Sequence, residues 1–165
     1  ATDPLPPDGA VDAAPASVLS WTAGQTAVSH HLYLGLDAES VGNAGVGSPE
    51  FMGVLPLGTE TFDPPGSLHQ GVVYYWRVDE VPQSGPVLHG RLWSFTTAVI
   101  PGDSDDDGDV DQADFGYFQA CLTGSGQTTG PNCAKAELDG DGDVDDGDFA
   151  VFQSCMGGPA GSPGC

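Results

Sequence analysis

The sequence predicts a chain in two parts, an all-β sandwich followed by a small α domain. Three observations predict it. Short segments that alternate polar and apolar residues recur through residues 1–100, with Gly, Pro, Asp and Ser between them. An acidic twelve-residue pattern then occurs twice at an offset of 34 residues, each time before a helix-like spacing of phenylalanines. The net charge also shifts, from −8 over residues 1–100 to −13 over residues 101–165.

Four alternating segments predict strands, and they are residues 17–21, 28–36, 72–81 and 91–97. Several short strands separated by turn residues favour a sandwich or a barrel. We expect the sandwich to span residues 10–99, after an extended Pro-rich segment at residues 1–9. Pro101 and Gly102 break the chain at the charge shift, so the second domain is expected at residues 102–165.

The segment 72–81 predicts which side chains face the core. Alternate side chains of a strand lie on opposite faces. The predicted core face carries Tyr74, Trp76 and Val78, and the predicted surface face carries Tyr75, Arg77 and Asp79. Tyr74 stands six residues after Leu68, which matches a tyrosine corner, in which the buried tyrosine hydroxyl bonds to upstream backbone.

Three features of the first part together resemble a fibronectin type III-like, immunoglobulin-like sandwich of secreted bacterial proteins. They are Trp21 in an early strand, the segment Leu68–Val78 and the closing segment Gly90–Thr97. The resemblance implies a spacer, adhesion or assembly module without catalytic activity of its own.

Candidate sites in the first part are weak. His30 and His31 are neighbours on a predicted strand, so their side chains point to opposite faces and cannot chelate one ion together. Trp76 and Trp93 fit either a sugar-stacking platform or the core, and their apolar neighbours of the same parity favour the core. The sequence contains no Gly-x-Ser-x-Gly and no His-Glu-x-x-His, so we expect no enzyme activity.

Two acidic loops carry the chemistry of the second part. Residues 103–114 place oxygens at loop positions 1, 3, 5, 9 and 12, with Gly at position 6 for a sharp turn, and residues 137–148 repeat the pattern. This spacing predicts two Ca²⁺ ions per chain. The predicted ligands are Asp103, Asp105, Asp107, Asp109, Asp111 and Asp114 in the first loop, and Glu137, Asp139, Asp141, Asp143, Asp145 and Asp148 in the second. Asp109 and Asp143 are expected to bind through backbone oxygen.

A solvated acidic linker is the alternative interpretation of these charge runs. A linker predicts no register between acids, glycines and hydrophobic residues. The two loops instead match at one offset through Gly108 and Gly142, Val110 and Val144, Phe115 and Phe149, Phe118 and Phe152, and Cys121 and Cys155. The paired phenylalanines, three residues apart, predict a short amphipathic helix after each loop.

A duplicated loop followed by one helix, with no helix before the first loop, resembles the type I dockerin, an EF-hand-like fold. The resemblance covers residues 102 to about 157 and implies calcium binding and a cohesin-like receptor as partner. Two departures stand out. Position 1 of the second loop is Glu137, and the positions at which dockerins commonly read cohesin carry Gln112–Ala113 and Asp146–Gly147 instead of hydroxyl pairs.

The four cysteines allow three pairings. Local pairing of Cys121 with Cys133 and of Cys155 with Cys165 is favoured, since each bond ties a helix end to a Gly-rich segment 12 or 10 residues downstream. A zinc site is the rival interpretation, but the sequence has no Cys-x-x-Cys. The disulfides favour an extracellular, oxidising setting.

Charge narrows the choice of function. With 3 Lys+Arg against 24 Asp+Glu, the chain cannot build a cationic face for nucleic acid, and no apolar run is long enough for membrane insertion. The first expectation is a non-catalytic extracellular structural protein that assembles with other copies of the same chain into a filament or surface assembly, using residues 1–9 on a neighbouring copy. The alternatives are a module that docks a secreted protein to a cohesin-like receptor, and an enzyme or sugar-binding protein.

Overall fold

A computed structural model describes residues 1–157. The chain divides into two compact units, Ala1–Ala98 and Val99–Cys165. Within the described residues the fold is β-rich, with eight strands and three short helices. No helix in this part of the chain combines the length and the apolar character that a membrane crossing requires.

Eight strands and one helix form the first unit. They are β1 (Thr2–Leu5), β2 (Ala10–Ala13), β3 (Leu19–Thr22), β4 (Ala27–Gly35), α1 (Ala38–Asn43), β5 (Phe51–Pro56), β6 (Thr61–Phe62), β7 (Val73–Pro82) and β8 (Trp93–Thr97). One sheet has the order β1-β3-β6, and the other has the order β2-β8-β7-β4-β5. The β2–β8 pair is parallel, and the other pairs are antiparallel.

Both sheets contribute side chains to one apolar cluster. Its members include Leu19 and Trp21 from β3, Leu32 and Leu34 from β4, Tyr74, Trp76 and Val78 from β7, and Trp93 and Phe95 from β8. Trp76 is fully buried and Trp93 is 4% exposed, so neither ring offers a face to a sugar. These two tryptophans belong to the core.

The tyrosine at the start of β7 makes the expected backbone contact. The backbone N–H of His69 donates a hydrogen bond to the Tyr74 hydroxyl at 3.0 Å. The ring itself stacks on Phe95 at a centroid distance of 5.7 Å.

The second face of β7 differs from the prediction, which placed Arg77 and Asp79 on the surface. Arg77 is 3% exposed and Asp79 is 1% exposed. The reason is α1, which lies over this face. The Arg77 guanidinium donates to the carbonyl oxygens of Val41 and Ala44 at 2.8 Å each, and it also bonds to Asp79. Alternation fixes the face on which a side chain lies but does not show what covers that face.

The segment at residues 1–9 is also placed differently from the expectation. It belongs to the first unit, because β1 pairs with β3 of the same chain through Thr2↔Thr22 and Leu5↔Ser20. Its backbone thereby supplies the hydrogen-bond partners that the open edge of β3 would otherwise lack. Pairing ends at the prolines that follow Leu5, which have no N–H to donate.

The second unit contains two helices, α2 (Gln112–Cys121) and α3 (Asp146–Cys155), each directly after an acidic loop. Phe118 and Phe152 are each 1% exposed, and their ring centroids lie 5.3 Å apart. Val110 and Val144 complete the core from the loops and are fully buried. Cys121 and Cys133 form a disulfide, the first of the two expected pairs. The partner expected for Cys155 is Cys165, which lies outside the described residues.

Candidate metal centre

Each acidic loop turns sharply at the same two positions. Gly108 and Gly142, at position 6, have φ values of 98° and 95°. At position 4, Asp106 has φ 62° and Gly140 has φ 85°. Glycine adopts this left-handed conformation without a steric penalty, and Asp is among the few other residues that tolerate it. The turns fold each run of carboxylates back on itself.

The folded loops bring carboxylate oxygens together. In the first loop, one oxygen from each member lies within 4.8 Å of the others in the groups Asp103–Asp105–Asp114 and Asp109–Asp111–Asp114. In the second loop the corresponding groups are Glu137–Asp139–Asp141, Asp139–Asp145–Asp148 and Asp141–Asp143–Asp148. Eleven of the twelve predicted ligands therefore belong to a group, and Asp107 is the one that does not.

The aspartates at position 12 tie each loop to its helix. Asp114 and Asp148 are 1% and 0% exposed. Asp114 accepts hydrogen bonds from the backbone N–H of Ser104 at 2.6 Å and of Asp111 at 2.8 Å. Asp148 accepts the matching bonds from Leu138 at 2.5 Å and Asp145 at 2.8 Å. Each carboxylate thus holds both ends of its loop.

The aspartates at position 9 begin the helices. Asp111 is the N-cap of α2, and Asp145 is the N-cap of α3. Each side chain accepts a hydrogen bond at 2.7 Å, from Ala113 and Gly147 respectively. Together with the aspartate at position 12, each forms a capping box that satisfies the N–H groups a helix start leaves open.

Burial and mutual repulsion act on the carboxylates of the first loop. Burial raises the pKa of Asp103, and the charges of Asp114 and Asp107 raise it further, although the Gly108 N–H opposes them. Burial raises the pKa of Asp105 as well, with the Asp107 charge adding to it. A cation bound beside these carboxylates would act in the opposite direction and lower their pKa values.

The second loop shows both directions of pKa shift. Burial raises the pKa of Asp139, and the neighbouring charge of Asp141 adds to it. Burial also acts to raise the pKa of Asp148, but the backbone N–H groups of Leu138 and Asp145 outweigh it, so this pKa lies below its ordinary value. Asp148 is therefore held as a carboxylate at the point where the loop meets α3.

At position 7, where backbone oxygen is the expected ligand, the side chains also lie close to other carboxylates. The side chains of Asp109 and Asp143 are 9% and 5% exposed, and each is a member of a carboxylate group. The backbone N–H of Gly126 donates to Asp143 Oδ2. The other oxygen, Asp143 Oδ1, is buried without a hydrogen-bond partner.

Sequence reasoning missed the side chains that brace the first loop from outside. Lys135 Nζ lies 2.7 Å from Asp106 Oδ2 and donates to the Ser104 carbonyl at 2.8 Å. The Ser104 hydroxyl donates to Asp114 at 2.9 Å. Lys135 is the one base among fourteen acids in residues 101–165, but this count does not show which acid it contacts.

The donor set fits a hard cation. Every group consists of carboxylates alone, and oxygen ligands are those that Ca²⁺ and Mg²⁺ prefer. Oxygens on opposite sides of a Ca²⁺ ion are about 4.6–5.2 Å apart, twice the usual Ca–O distance. Oxygens that lie within 4.8 Å of one another can therefore contact one such ion. Thiolate ligation of zinc is excluded at Cys121 and Cys133 by their disulfide.

The histidines of the first unit serve a different purpose. His30 is fully buried, with Nδ1 2.9 Å from Glu80 and Nε2 3.3 Å from Glu60. Burial acts to raise the pKa of Glu80, but hydrogen bonds from the Ala1 amino group and from the Gly24 N–H outweigh it and lower this pKa. Both ring nitrogens of His30 are engaged, so the cluster is an internal hydrogen-bond network.

Known proteins provide no further guide to the site. A scan of protein-family models gives no match, and searches of curated proteins and of solved structures give none either. The function is therefore inferred from the geometry of the two loops and from the chemistry of their carboxylates.

Proposed function

We propose that this chain is a calcium-binding, non-catalytic structural protein that works outside the cell. One observation carries the proposal. In both loops, carboxylate oxygens from spaced positions converge within 4.8 Å while the aspartates at positions 9 and 12 form the capping box of the following helix. A solvated acidic linker has no reason to repeat this arrangement twice.

Calcium relieves the charge that the loops concentrate. All fourteen acids of residues 101–165 lie in the two loops, against Lys135. Two ions of charge +2 would reduce the net charge of this region from −13 to −9. Each site also adds about 2.7 kcal/mol to the free energy of unfolding when calcium stands at about 100 times its dissociation constant. Calcium thus acts as a folding ligand of the second unit.

Two proposals about the fold accompany the proposal of calcium binding. The shared core of the two sheets and the Tyr74 contact support a fibronectin type III-like sandwich for the first unit. The two loop–helix motifs, packed through Phe118 and Phe152, support a type I dockerin-like arrangement for the second.

Calorimetric titration of the metal-free full chain tests calcium binding. We expect two sites, with dissociation constants of roughly micromolar to millimolar and weaker binding of Mg²⁺. Asp114→Asn and Asp148→Asn should each remove one site, and Asp63→Asn, an acid outside the loops, serves as the control. Fewer than two sites, or equal affinity for the two cations, would contradict the proposal.

We also propose that copies of the chain associate through β1. This strand lies at the edge of its sheet, with Leu5 54% exposed. Its pairing with β3 of the same chain means that assembly proceeds by strand exchange, in which β1 of one copy replaces that of another. The product is an open filament unless the rotation between copies closes a ring.

Light scattering at increasing protein concentration tests the association, in calcium and in chelator. The full chain should grow in mass in calcium, and a chain without residues 1–9 should not. A full-length chain that stays monomeric in calcium would favour the alternative function, attachment to a cohesin-like receptor.

A further inference from the structure

In the second loop, the burial of one carboxylate side chain is not explained by its position in the loop. Asp143 stands at position 7, where the backbone oxygen is the expected ligand, and such a side chain has no need to be buried. Its side chain is nevertheless 5% exposed. One of its oxygens lies within 4.8 Å of oxygens of Asp141 and Asp148. The side chain therefore faces the carboxylates that we assign to the metal.

The burial of this side chain is only partly compensated. Asp143 Oδ2 accepts a hydrogen bond from the Gly126 N–H, whereas Oδ1 has no hydrogen-bond partner. A buried carboxylate oxygen without a partner is costly unless a cation or a donor reaches it. A purely structural role as acceptor for Gly126 accounts for one oxygen and leaves the other unexplained.

The glutamate at position 1 shows why the second loop needs a further ligand. In the first loop, the position-1 residue Asp103 shares a carboxylate group with Asp114 at position 12. In the second loop, Glu137 is grouped with positions 3 and 5 and not with Asp148. The Gly140 N–H also holds Glu137 through a 2.6 Å hydrogen bond to Oε1. Asp148 is grouped instead with Asp141 and Asp143, and in a second group with Asp139 and Asp145.

We propose that Asp143 binds the second calcium ion directly through its side-chain carboxylate, an inference that rests on the proposed calcium function. The second site is then centred on Asp141, Asp143 and Asp148, and Glu137 lies at its margin. The segment 123–129 holds the backbone on either side of Asp143, because Thr129 donates to the Gly142 carbonyl at 3.0 Å and Thr123 to that of Val144 at 3.0 Å. The ligand is therefore fixed by a part of the chain outside the loop.

Paired substitutions in the full chain test this assignment. Asp143→Asn keeps an acceptor for Gly126 but loses the charge, and Asp146→Asn loses the same charge at an exposed position in the same loop that belongs to no carboxylate group. Calcium calorimetry should show one site weakened by tenfold or more in Asp143→Asn and the other unchanged. Asp146→Asn should change both by less than about threefold, the size expected for a general loss of charge.

Terbium luminescence gives a readout that folding alone does not move. Lifetimes in H₂O and D₂O count the water molecules on the bound ion, and removing a protein ligand adds water. Asp143→Asn should add water at one site, and Asp143→Glu, which keeps the charge but shifts the oxygens, should change the lifetime of the same site. Asp146→Asn should leave both lifetimes unchanged.

The outcomes separate the two levels of inference. If the wild-type chain binds fewer than two calcium ions, the proposed function fails. If it binds two, but Asp143→Asn behaves as Asp146→Asn and both Asp143 variants keep the wild-type lifetimes, the side chain is only an acceptor for Gly126 and the assignment is overturned.

Discussion

Replacing Phe152 by alanine should make the second unit depend on calcium for its folding. Phe152 is 1% exposed, and its ring lies 5.3 Å from that of Phe118 and 5.8 Å from that of Phe115. The Phe152 ring is also packed against Gly102, where an added Cβ would lie 3.0 Å from the ring. Because the ring is packed on several sides, its neighbours can relax only partly into the cavity that alanine leaves. The loss in free energy of unfolding should therefore lie near the middle of the usual range for Phe→Ala, about 4 kcal/mol.

That loss is comparable to the whole stability of a small domain. It is also comparable to the gain from metal, since two sites at about 100 times their dissociation constants contribute about 5.4 kcal/mol together. In chelator, the Phe152→Ala variant should therefore lose most of its folded second unit. In excess calcium it should recover that unit.

Hydrogen exchange followed by mass spectrometry measures the protection of the backbone amides in each unit separately. In chelator, peptides from α2 and α3 of the Phe152→Ala variant should be roughly a thousandfold less protected than the same peptides of the unchanged protein. This factor corresponds to about 4 kcal/mol. Peptides from β7 and β8 should keep theirs. Gln153→Ala changes an exposed residue of the same helix and serves as the control. Unchanged protection of α2 and α3 in chelator, or an equal loss in β7 and β8, would refute the reasoning.

Three further predictions concern single residues. Arg77→Met should lower the free energy of unfolding of the first unit by about 3–5 kcal/mol, because Asp79 stays buried without the guanidinium and keeps only the Gly90 N–H and the His89 ring as partners. Urea denaturation followed by tryptophan fluorescence measures this loss. The lowered pKa of Glu80 means that the folded state holds this proton less tightly than the unfolded chain does, so its stabilisation is present above the ordinary value of 4.5 and is lost as the pH falls through the lowered pKa. Denaturation at pH values from about 6 to about 3 should show this loss, and Glu80→Gln should reduce it. Gly147→Ala should weaken the second calcium site alone, since the new Cβ would overlap the Asp139 carboxylate, and calorimetry that shows an unaltered second site would contradict it.

Regular alternation explains which strands the sequence could predict. Segments 28–36 and 72–81 became β4 (Ala27–Gly35) and β7 (Val73–Pro82), with bounds shifted by only one residue. The strands β1 and β2 lie in a Pro-rich segment without alternation, and they form because other strands offer them backbone partners. Such pairing depends on tertiary structure and leaves no local pattern.

The candidate site likewise contains some residues that the sequence could predict and others that it could not. The carboxylates of the loops follow a regular spacing that occurs twice, so the sequence could predict which of them come together. Lys135 and Gly126 could not be predicted, because each reaches its loop across 17 to 29 residues of chain. The burial of Arg77 escaped for the same reason, since its carbonyl partners precede it by 33 to 36 residues.

Asp114 and Asp148 belong to the carboxylate groups and also hold their loops through hydrogen bonds, which affects the rate at which an ion binds. Each holds both ends of its loop through backbone N–H groups, so a loop that keeps these bonds before the ion arrives has little ordering entropy left to lose on binding. Capture of Ca²⁺ should then be fast, whereas Mg²⁺ should bind more slowly because it gives up its hydration water reluctantly. Stopped-flow mixing with each cation would show this as a difference in association rates.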